Sequence, residues 1–268
     1  MPPRNTPDPW VIYPRPNPRA RLRLFCFPFA GGGASTYRSW PAHLPADIDV
    51  AAVQLPGRED RLREPAFHDA RAVCSKLIDV LAPHFDRPFA LFGHSMGALL
   101  AFELAQMLCA AGGPAPAHLF VSAHCGPRKA HCLPSVVGLS DRELVALLQT
   151  LSGTRDEVLQ DADVMTLLLP LFRADLTICE TYRYGAPEPL RCPISAFGGT
   201  FDDYVRRADV VAWRAETRGG FQARMFPGGH FFLNEAKPRL LQAVTDDLAA
   251  YGHPTHIPLS THDGGSPS

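Results

Sequence analysis

A serine that could act as a nucleophile stands at position 95, in the segment GHSMG that spans residues 93–97. This G-x-S-x-G pattern directly follows the apolar run Phe89–Phe92 and opens a segment with helical apolar spacing. In that context the pattern indicates a sharp turn from strand to helix that exposes the serine hydroxyl. The flanking glycines are expected because side chains there would collide with the strand and the helix. An ordinary N-cap at a strand–helix junction is the alternative interpretation of Ser95.

A serine hydroxyl needs a base to accept its proton and a carboxylate to orient that base. With this turn the expected chain order is serine, acid, histidine. His230, in FPGGHFFL after the last strand-like run, is the predicted base among eleven histidines, while His94 and His124 are expected to pack beside the site. Asp202 and Asp203 both follow the penultimate strand-like run. Asp202 is favoured as the acid because it fits a G-x-x-D-x-x-V loop, Asp203 stays open, and an N-cap is the alternative role for either.

Attack on a carbonyl group builds negative charge on its oxygen, which backbone N–H groups must be in place to bind. Met96, the residue after the serine, is predicted to supply one of these groups. The second is assigned to Ala30, in the loop FPFAGGGAS after the first strand-like run, whose glycines let the backbone approach a substrate. A phosphate-binding loop is the alternative, but this segment lacks the G-K-[ST] ending and the G-x-G-x-x-G spacing.

Seven cysteines are scattered through apolar surroundings, and we expect reduced thiols packed as small hydrophobic side chains. A disulfide framework is more typical of a short secreted chain. The steps His124-Cys125 and His131-Cys132 form a compact cluster that could suggest zinc. Their spacing matches no familiar zinc site, and neighbours in sequence rarely point at one ion. The sequence therefore predicts no metal site.

The elements that must hold these residues alternate along the chain. Six short, mainly apolar segments have the length of strands, and they are runs more than alternations of apolar and polar residues, as expected for parallel strands covered on both faces. These runs are Leu22–Phe27, Val50–Leu55, Phe89–Phe92, Leu119–Ala123, Ile194–Phe197 and Ala223–Phe226. Helical spacing covers about 69–85, 96–111, 205–217 and 236–251. The alternation predicts a mostly parallel central sheet flanked by helices, and with the nucleophile turn it predicts the α/β-hydrolase fold.

One stretch, about residues 133–190, lacks a convincing strand and shows only helix-like spacing. Within it, Ser140 and Glu143 have the spacing of a capping box. We predict a helical insertion between two strands, either a lid over the sheet or extra core helices. Residues 1–20 and 253–268 are rich in proline, arginine or small polar residues and are expected to be disordered. A single domain over residues 21–252 is therefore predicted.

Composition excludes several classes of protein. The chain has 268 residues, a net charge of −1, 46% hydrophobic and 20% charged residues, without a basic stripe that would indicate nucleic acid. No apolar run reaches the roughly 18 residues of a membrane span. The segment MPPRNTPDPW lacks the apolar core of a secretory signal. A cytoplasmic protein that binds neither nucleic acid nor membrane is expected.

Several segments together resemble the type II thioesterases, the free-standing editing hydrolases of polyketide synthase and nonribosomal peptide synthetase pathways. The resemblance extends over about residues 22–250, in FCFPFAGGGASTYRSW, VQLPGREDRLREP, FGHSMGALLAFELA, LSDRELVALLQTLSGTRDEVL, LLLPLFRADLTICETYRY, PLRCPISAFGGTFDDYV and FPGGHFFL. The segments QLPGRE and PLFRAD are the most specific, because general esterases lack both. Phe29 is a small departure, since many members of the family have histidine there, although aromatic residues also occur.

The resemblance implies hydrolysis of aberrant or stalled acyl groups held as thioesters on the phosphopantetheine arm of an acyl or peptidyl carrier protein. It implies that Ser95 is acylated with His230 as base and Asp202 as the orienting acid. The N–H groups of Met96 and Ala30 would bind the oxyanion, and water would release the acid. Residues 133–190 would be a lid over the acyl chamber. The enzyme would be a monomer that needs no cofactor of its own.

Three other functions stay open at this point. An esterase or lipase acting on oxygen esters would use the same three side chains. So would an integrated thioesterase domain that cyclises a product, although an initiating methionine and the lack of carrier-like sequence upstream favour a free-standing protein. A carrier-binding scaffold that has lost catalysis would not need all three. Arg58, Arg61 and Arg63 could contact an acidic carrier surface, with a solvated basic face as the favoured alternative.

Overall fold

The computed structural model describes residues 9–129, 132–151, 156–185 and 188–249. In these residues, seven strands form one sheet. Its strands are β1 Val11–Ile12, β2 Leu22–Phe27, β3 Ile48–Val53, β4 Phe89–His94, β5 His118–Ser122, β6 Ile194–Gly199 and β7 Phe221–Phe226. They lie in the order β1-β3-β2-β4-β5-β6-β7. The strands from β2 to β7 are all parallel, while β1 is antiparallel to β3. The carboxyl ends of the parallel strands therefore share one edge, where sites of such sheets form.

Helices cover both faces of the sheet. Those in the described ranges are α1 Ala70–Leu81, α2 Met96–Ala110, α3 Asp141–Leu151, α4 Asp156–Gln160, α5 Ala162–Thr181, α6 Arg207–Val211, α7 Phe232–Glu235 and α8 Lys237–Ala249. Side chains of α1 and α2 build the core on one face, and side chains of α8 build the core on the other. Strand residues alternate between the two cores, as Phe25 and Cys26 of β2 do. In this part of the chain, no helix combines the length and the apolarity that a membrane crossing requires.

The predicted helical insertion is formed by α3, α4 and α5, which lie between β5 and β6 in the chain. These helices share a core of their own, with Leu144, Met165 and Leu176 among its members. The capping box predicted at the start of α3 is confirmed. The Ser140 N–H donates to the Glu143 carboxylate at 2.7 Å, and the Glu143 N–H donates to the Ser140 hydroxyl at 3.3 Å.

The predicted α/β architecture is confirmed, with differences at the ends of elements. The strand expected at Val50–Leu55 lies two residues earlier, at Ile48–Val53. The helix expected over about 69–85 ends at Leu81, and a 3-10 helix follows over Ala82–His84 because Pro83 cannot donate the next helical hydrogen bond. The expected helix over 205–217 divides into α6 and a 3-10 segment. Both β1 and α7 are too short for a periodic pattern to indicate them.

The expectation of disorder over residues 1–20 is wrong for residues 9–20. Strand β1 pairs with β3 at the edge of the sheet, and Trp10 is buried beside it. The guanidinium carbon of Arg61 lies 4.1 Å from the centre of the Trp10 ring. The N–H of Asn17 also donates to the Asp49 carboxylate at 3.1 Å. Contacts of this kind with distant segments order residues 9–20, and they produce no sequence period. The first eight residues and the predicted tail 253–268 lie outside the described residues.

The expectation of reduced thiols is wrong for Cys125 and Cys132, which form a disulfide. Their Cα atoms are 5.9 Å apart, within the usual range for such a bond. The bond links the segment after β5 to the start of the insertion. Sequence spacing could not indicate it, because the path of the intervening chain sets the distance. The free cysteines of the described residues are Cys26, Cys74, Cys109, Cys179 and Cys192.

Candidate active site

The turn after β4 holds Ser95 in a strained conformation. Its φ of 52° and ψ of −120° lie in a region that residues other than glycine rarely adopt. A Cβ atom on Gly93 would lie 2.0 Å from the carbonyl oxygen of Gly97, and a Cβ atom on Gly97 would lie 2.2 Å from that of Phe27. The steric role predicted for the two glycines is thereby confirmed.

The carboxyl ends of β4, β6 and β7 bring three predicted side chains together. The Ser95 hydroxyl oxygen lies 3.0 Å from Nε2 of His230, and Nδ1 of His230 lies 2.8 Å from Oδ2 of Asp202. A carboxylate only accepts hydrogen bonds, so Nδ1 carries the proton and Nε2 accepts from the serine hydroxyl. All three side chains are buried. This chain of hydrogen bonds can pass a proton from the serine to the imidazole, with the carboxylate holding the ring in the required tautomer.

The loop after β6 presents Asp202 to His230. Oxygen Oδ1 of Asp202 accepts the backbone N–H groups of Tyr204 at 2.9 Å and Val205 at 3.1 Å, which leaves Oδ2 for the imidazole. Burial acts to raise the pKa of this carboxyl, but the hydrogen bond and charge of His230, together with the two N–H groups, leave that pKa below its usual value. Asp203 is exposed. The structure thus pairs His230 with Asp202 rather than with Asp203.

His94 connects the turn that carries Ser95 to His230. Its Nε2 lies 3.0 Å from the carbonyl oxygen of His230 and must donate to it, so Nδ1 accepts from the Ser122 hydroxyl at 2.9 Å. Burial and repulsion by His230 lower the pKa of His94 to about 3, which keeps its ring neutral. Sequence reasoning predicted only that His94 packs beside the site. It missed this bond because the two residues are 136 positions apart and no spacing indicates their contact.

Two backbone N–H groups near Ser95 are candidates for binding an oxyanion. Met96 is the first residue of α2, so its N–H has no partner within the helix. Ala30 lines the same cavity as Ser95. Among the residues that the structure describes, none accepts a hydrogen bond from the Ala30 N–H. Within the described residues, the two N–H groups assigned from the sequence therefore lack an acceptor. One lies in the loop after β2 and the other in the turn after β4.

An apolar cavity opens beside Ser95 and His230. Phe29, Ala30 and Phe231, from the segments that follow β2 and β7, line part of it. The insertion supplies the other lining residues, Leu133, Leu148, Leu151, Phe172 and Leu176. Since the insertion contributes only apolar side chains, the cavity suits an uncharged hydrocarbon group next to the serine.

His124, Cys125 and Cys132 have ligand atoms within 4.8 Å of one another, the arrangement that a metal site would need. The two sulfur atoms are joined in the disulfide, so neither is a thiolate that could bind an ion. Burial lowers the pKa of His124 to about 4, and its Nδ1 donates to the carbonyl oxygen of Cys125 at 2.8 Å. His131, the other histidine of the cluster noted in the sequence, lies outside the described residues.

The hypothesis of a basic face at Arg58, Arg61 and Arg63 is wrong for the first two. Arg58 and Arg61 are buried, while Arg63 is exposed. Arg61 donates to the carbonyl oxygen of Gln54 at 2.8 Å and packs on Trp10. Arg58 is paired with an aspartate from the insertion, a contact that sequence spacing cannot show.

The fold and the site place the protein among the α/β-hydrolases in which a serine, a histidine and an aspartate are joined by hydrogen bonds. A family model described as "Thioesterase domain" matches residues 22–248. The chain is 41% identical to linear gramicidin dehydrogenase LgrE of Brevibacillus parabrevis, over 92% of this chain and 95% of the relative. It is 40% identical to gramicidin S biosynthesis protein GrsT of Aneurinibacillus migulanus, over 89% of this chain and 93% of the relative.

A solved structure gives the same assignment. The type II thioesterase BorB from the borrelidin biosynthetic cluster superposes with a TM-score of 0.82 and 42% identity, over 90% of this chain and 98% of that chain. The chain belongs to the thioesterase family, and it is a hydrolase that acts on thioesters.

A nucleotide-binding loop is the alternative interpretation of the glycines that follow β2. Such a loop has G-x-G-x-x-G spacing and opens an α-helix. Here Gly31 and Gly33 match the first two glycines, but Thr36 stands where the third would be. The loop opens a 3-10 helix over Ala34–Tyr37 rather than an α-helix. The alternative of a phosphate-binding loop therefore gains no support from the structure.

Proposed function

We propose that this thioesterase removes aberrant or stalled acyl groups from the phosphopantetheine arm of acyl or peptidyl carrier proteins. The observation that carries the proposal is the hydrogen-bonded chain Ser95–His230–Asp202 at the mouth of an apolar cavity. The chain supplies a nucleophile and a base, and the apolar side chains that line the cavity are suited to contact an acyl group. Polyketide and nonribosomal peptide pathways are favoured because the similar structures ClbQ and YbtT are described as belonging to the colibactin and yersiniabactin NRPS/PKS pathways.

In the proposed mechanism, the Ser95 hydroxyl oxygen attacks the carbonyl carbon of the thioester while Nε2 of His230 takes the proton. The tetrahedral intermediate then expels the sulfur, and His230 protonates it, so that the carrier regains a free thiol. Water attacks the acyl-serine ester as His230 takes its proton. Return of that proton to the Ser95 oxygen releases the free acid.

The charge that develops on the carbonyl oxygen is bound by the N–H groups of Met96 and Ala30. Removing one such donor costs about 10²- to 10³-fold in kcat in comparable hydrolases. Asp202 holds the imidazole with Nδ1 protonated and stabilises the imidazolium that forms. No metal or organic cofactor takes part in these steps, because protein groups and water supply every proton and nucleophile.

The remaining features of the proposal concern the whole molecule. Residues 133–190 act as a lid, because side chains of this insertion line the cavity that Ser95 also lines. A monomer with one domain over residues 21–252 acts in the cytoplasm, where it meets a separate carrier protein. Neither nucleic acid nor membrane is a partner.

The test is mass spectrometry of a phosphopantetheinylated acyl carrier protein loaded with acetyl, propionyl or longer acyl groups. The wild type should convert each to the free holo-carrier, and Ser95→Ala should leave the acyl group in place. Ser75→Ala is the matched control, since Ser75 is exposed on α1, and it should behave as the wild type.

Three results would contradict the proposal. Unchanged turnover by Ser95→Ala would remove the nucleophile assignment. An acyl-carrier that persists while a p-nitrophenyl ester of the same acid is cleaved rapidly would favour an esterase. Tight binding of the acyl-carrier without loss of the acyl group would favour a scaffold without catalysis.

A further inference from the structure

Two segments that are far apart in the sequence meet behind the loop that carries Ala30. Arg58, in the segment QLPGRE after β3, makes a two-pronged ion pair with Asp175 of α5. The distances are 2.8 Å from Nη1 to Oδ2 and 2.9 Å from Nη2 to Oδ1. The two side chains are only 3% and 1% exposed. Removing two charges from water is costly, so a buried pair is weak evidence of stabilisation and suggests a different role.

The pair also holds the backbone of the loop. Asp175 Oδ2 accepts the N–H of Gly31 at 2.7 Å, and Arg58 Nη1 donates to the carbonyl oxygen of Gly32 at 3.0 Å. Each member of the pair therefore fixes one peptide group of the loop. The orientation of the Ala30–Gly31 peptide depends on a residue of the insertion, 144 positions away.

The loop geometry transmits this constraint to the Ala30 N–H. The Gly32 N–H donates to the carbonyl oxygen of Phe29 at 2.9 Å, which closes a four-residue turn with Gly31 at a φ of 76°. The Phe29 carbonyl and the Ala30 N–H belong to one planar trans peptide unit and point in opposite directions. Because the carbonyl points into the turn, the N–H of Ala30 points out of it.

We propose that Arg58 and Asp175 are positioning residues that aim the Ala30 N–H at the oxyanion formed during attack by Ser95. This inference rests on the proposed function, in which Ala30 supplies the second donor. A donor that is already in place stabilises the oxyanion without reorganisation. Displacement by about 1 Å can cost on the order of 10²-fold in rate.

Neighbours of Arg58 hold the following part of the same loop. Oε1 of Gln54 accepts the N–H of Ala34 at 2.6 Å, and Oε1 of Glu59 accepts the N–H of Ser35 at 3.2 Å. The segment QLPGRE thus works as a clamp on the loop after β2, and the aspartate of PLFRAD completes the clamp from the insertion. This contact gives a physical reason for the presence of both segments in one chain.

The experiment compares two ways of disrupting the pair. The double variant Arg58→Met with Asp175→Leu removes both charges while keeping similar volumes, so that no buried charge is left alone. Arg58→Lys keeps the charge but loses the two-pronged geometry. The control is Arg23→Met with Asp49→Leu. This buried pair lies at the amino ends of β2 and β3, away from the site, and its side chains are 7% and 3% exposed.

The readouts are kcat and KM on an acyl-N-acetylcysteamine thioester, and the inhibition constant of an alkyl trifluoromethyl ketone. The ketone forms an oxyanion on the serine and therefore reports on the same donor. We expect the double variant to lose about 10- to 100-fold in kcat with KM within about twofold, and to lose ketone affinity by the same factor. Arg58→Lys should show a smaller loss in both quantities, and the control pair should change neither.

A kcat within about threefold of the wild type in the double variant, with Ser95→Ala inactive, would overturn the positioning role alone. So would a loss of kcat without a parallel loss of ketone affinity, or an equal loss of kcat in the control pair. If the double variant does not fold, Arg58→Lys decides by the same two readouts. Activity that survives in Ser95→Ala would instead remove the proposed function itself.

Discussion

Of two glycine-containing turns in the site, one carries the candidate nucleophile and the other lines the cavity beside it, and they are held in different ways. The turn at residues 93–97 is fixed by the backbone itself, since a methyl group on either glycine would collide with carbonyl oxygens. The loop at residues 29–33 is fixed by side chains from distant segments, with Arg58 and Asp175 at its centre. The first turn is therefore a local property of the sequence, whereas the second exists only once the tertiary structure has formed.

The largest effect is expected at Asp202, whose carboxylate is hydrogen-bonded to His230. Asp202→Asn should lower kcat by about 10²- to 10⁴-fold, because an amide can donate to Nδ1 and so favour the tautomer whose Nε2 cannot take the serine proton. Asp203→Asn, at the exposed neighbour, should stay within about twofold of the wild type. Steady-state kinetics on one thioester substrate measures both. A strained turn that activated Ser95 without help would leave Asp202→Asn nearly as active as the wild type.

Alanine substitutions should separate the two turns directly. Gly97→Ala meets a backbone carbonyl and should lower the free energy of unfolding by about 3 kcal/mol. The nearest atoms to the methyl group of Gly31→Ala belong to a side chain rather than to backbone, the ring of Phe172 at 2.1 Å. This substitution should cost about 1–2 kcal/mol for its left-handed backbone and act mainly on kcat.

Urea unfolding and steady-state kinetics on the same preparations test this difference. Gly220→Ala is the control, since the nearest atom to its added carbon is 3.7 Å away. Equal losses of stability in the Gly97 and Gly31 variants would end the distinction between the two turns.

A smaller, pH-dependent effect is expected from His94. Its pKa is about 3 in the folded protein, against about 6.5 in an unfolded chain. The unfolded state therefore gains a proton first as the pH falls. The stability that neutral His94 contributes is present above pH ~6.5 and is lost towards pH 3, by up to about 1.4 kcal/mol per pH unit.

Urea unfolding between pH 6 and 4 should show a shallower slope for His94→Asn than for the wild type. His118 and His124, whose pKa values burial lowers to about 4, should keep part of the slope in that variant. His68→Asn, at an exposed histidine, should leave the slope unchanged. An identical slope in His94→Asn would show that its ring is not held neutral by the fold.

The smallest effect is expected from the covalent link at the start of the insertion. Alkylation of the denatured, unreduced protein should modify five of the seven cysteines, because Cys125 and Cys132 are joined. Cys132→Ser should change kcat by less than about twofold, since the disulfide contacts neither turn. Seven alkylated cysteines would show that the bond does not form, and a large loss of kcat would place the disulfide among the supports of the site.

This contrast explains what the sequence could predict. Ser95, its glycines and the following helix lie within one segment, so local sterics indicated the turn, and the parallel sheet then implied which strand ends meet. A short loop pattern favoured Asp202 over Asp203, and it is Asp202 that contacts His230 in the structure. All of these inferences use spacing along the chain.

The remaining features depend on distances across the fold. The ion pair of Arg58 joins residues 117 positions apart, and sequence reasoning placed that arginine on a basic face because charged side chains are usually exposed. The order of residues 9–20 comes from contacts with distant segments, among them the burial of Trp10 and the pairing of β1 with β3. The disulfide depends on the path of a short loop. None of these contacts repeats with a period, so none produces a pattern that the sequence could show.

The backbone of Ser95 has a consequence for how this protein can evolve. A φ of 52° at a residue with a side chain costs on the order of 1–3 kcal/mol, and glycine at that position would avoid the cost. Ser95→Gly should therefore produce a protein that is more stable than the wild type and inactive. At this position the most stable sequence and the active sequence are different ones, so drift without selection for turnover would favour loss of the hydroxyl.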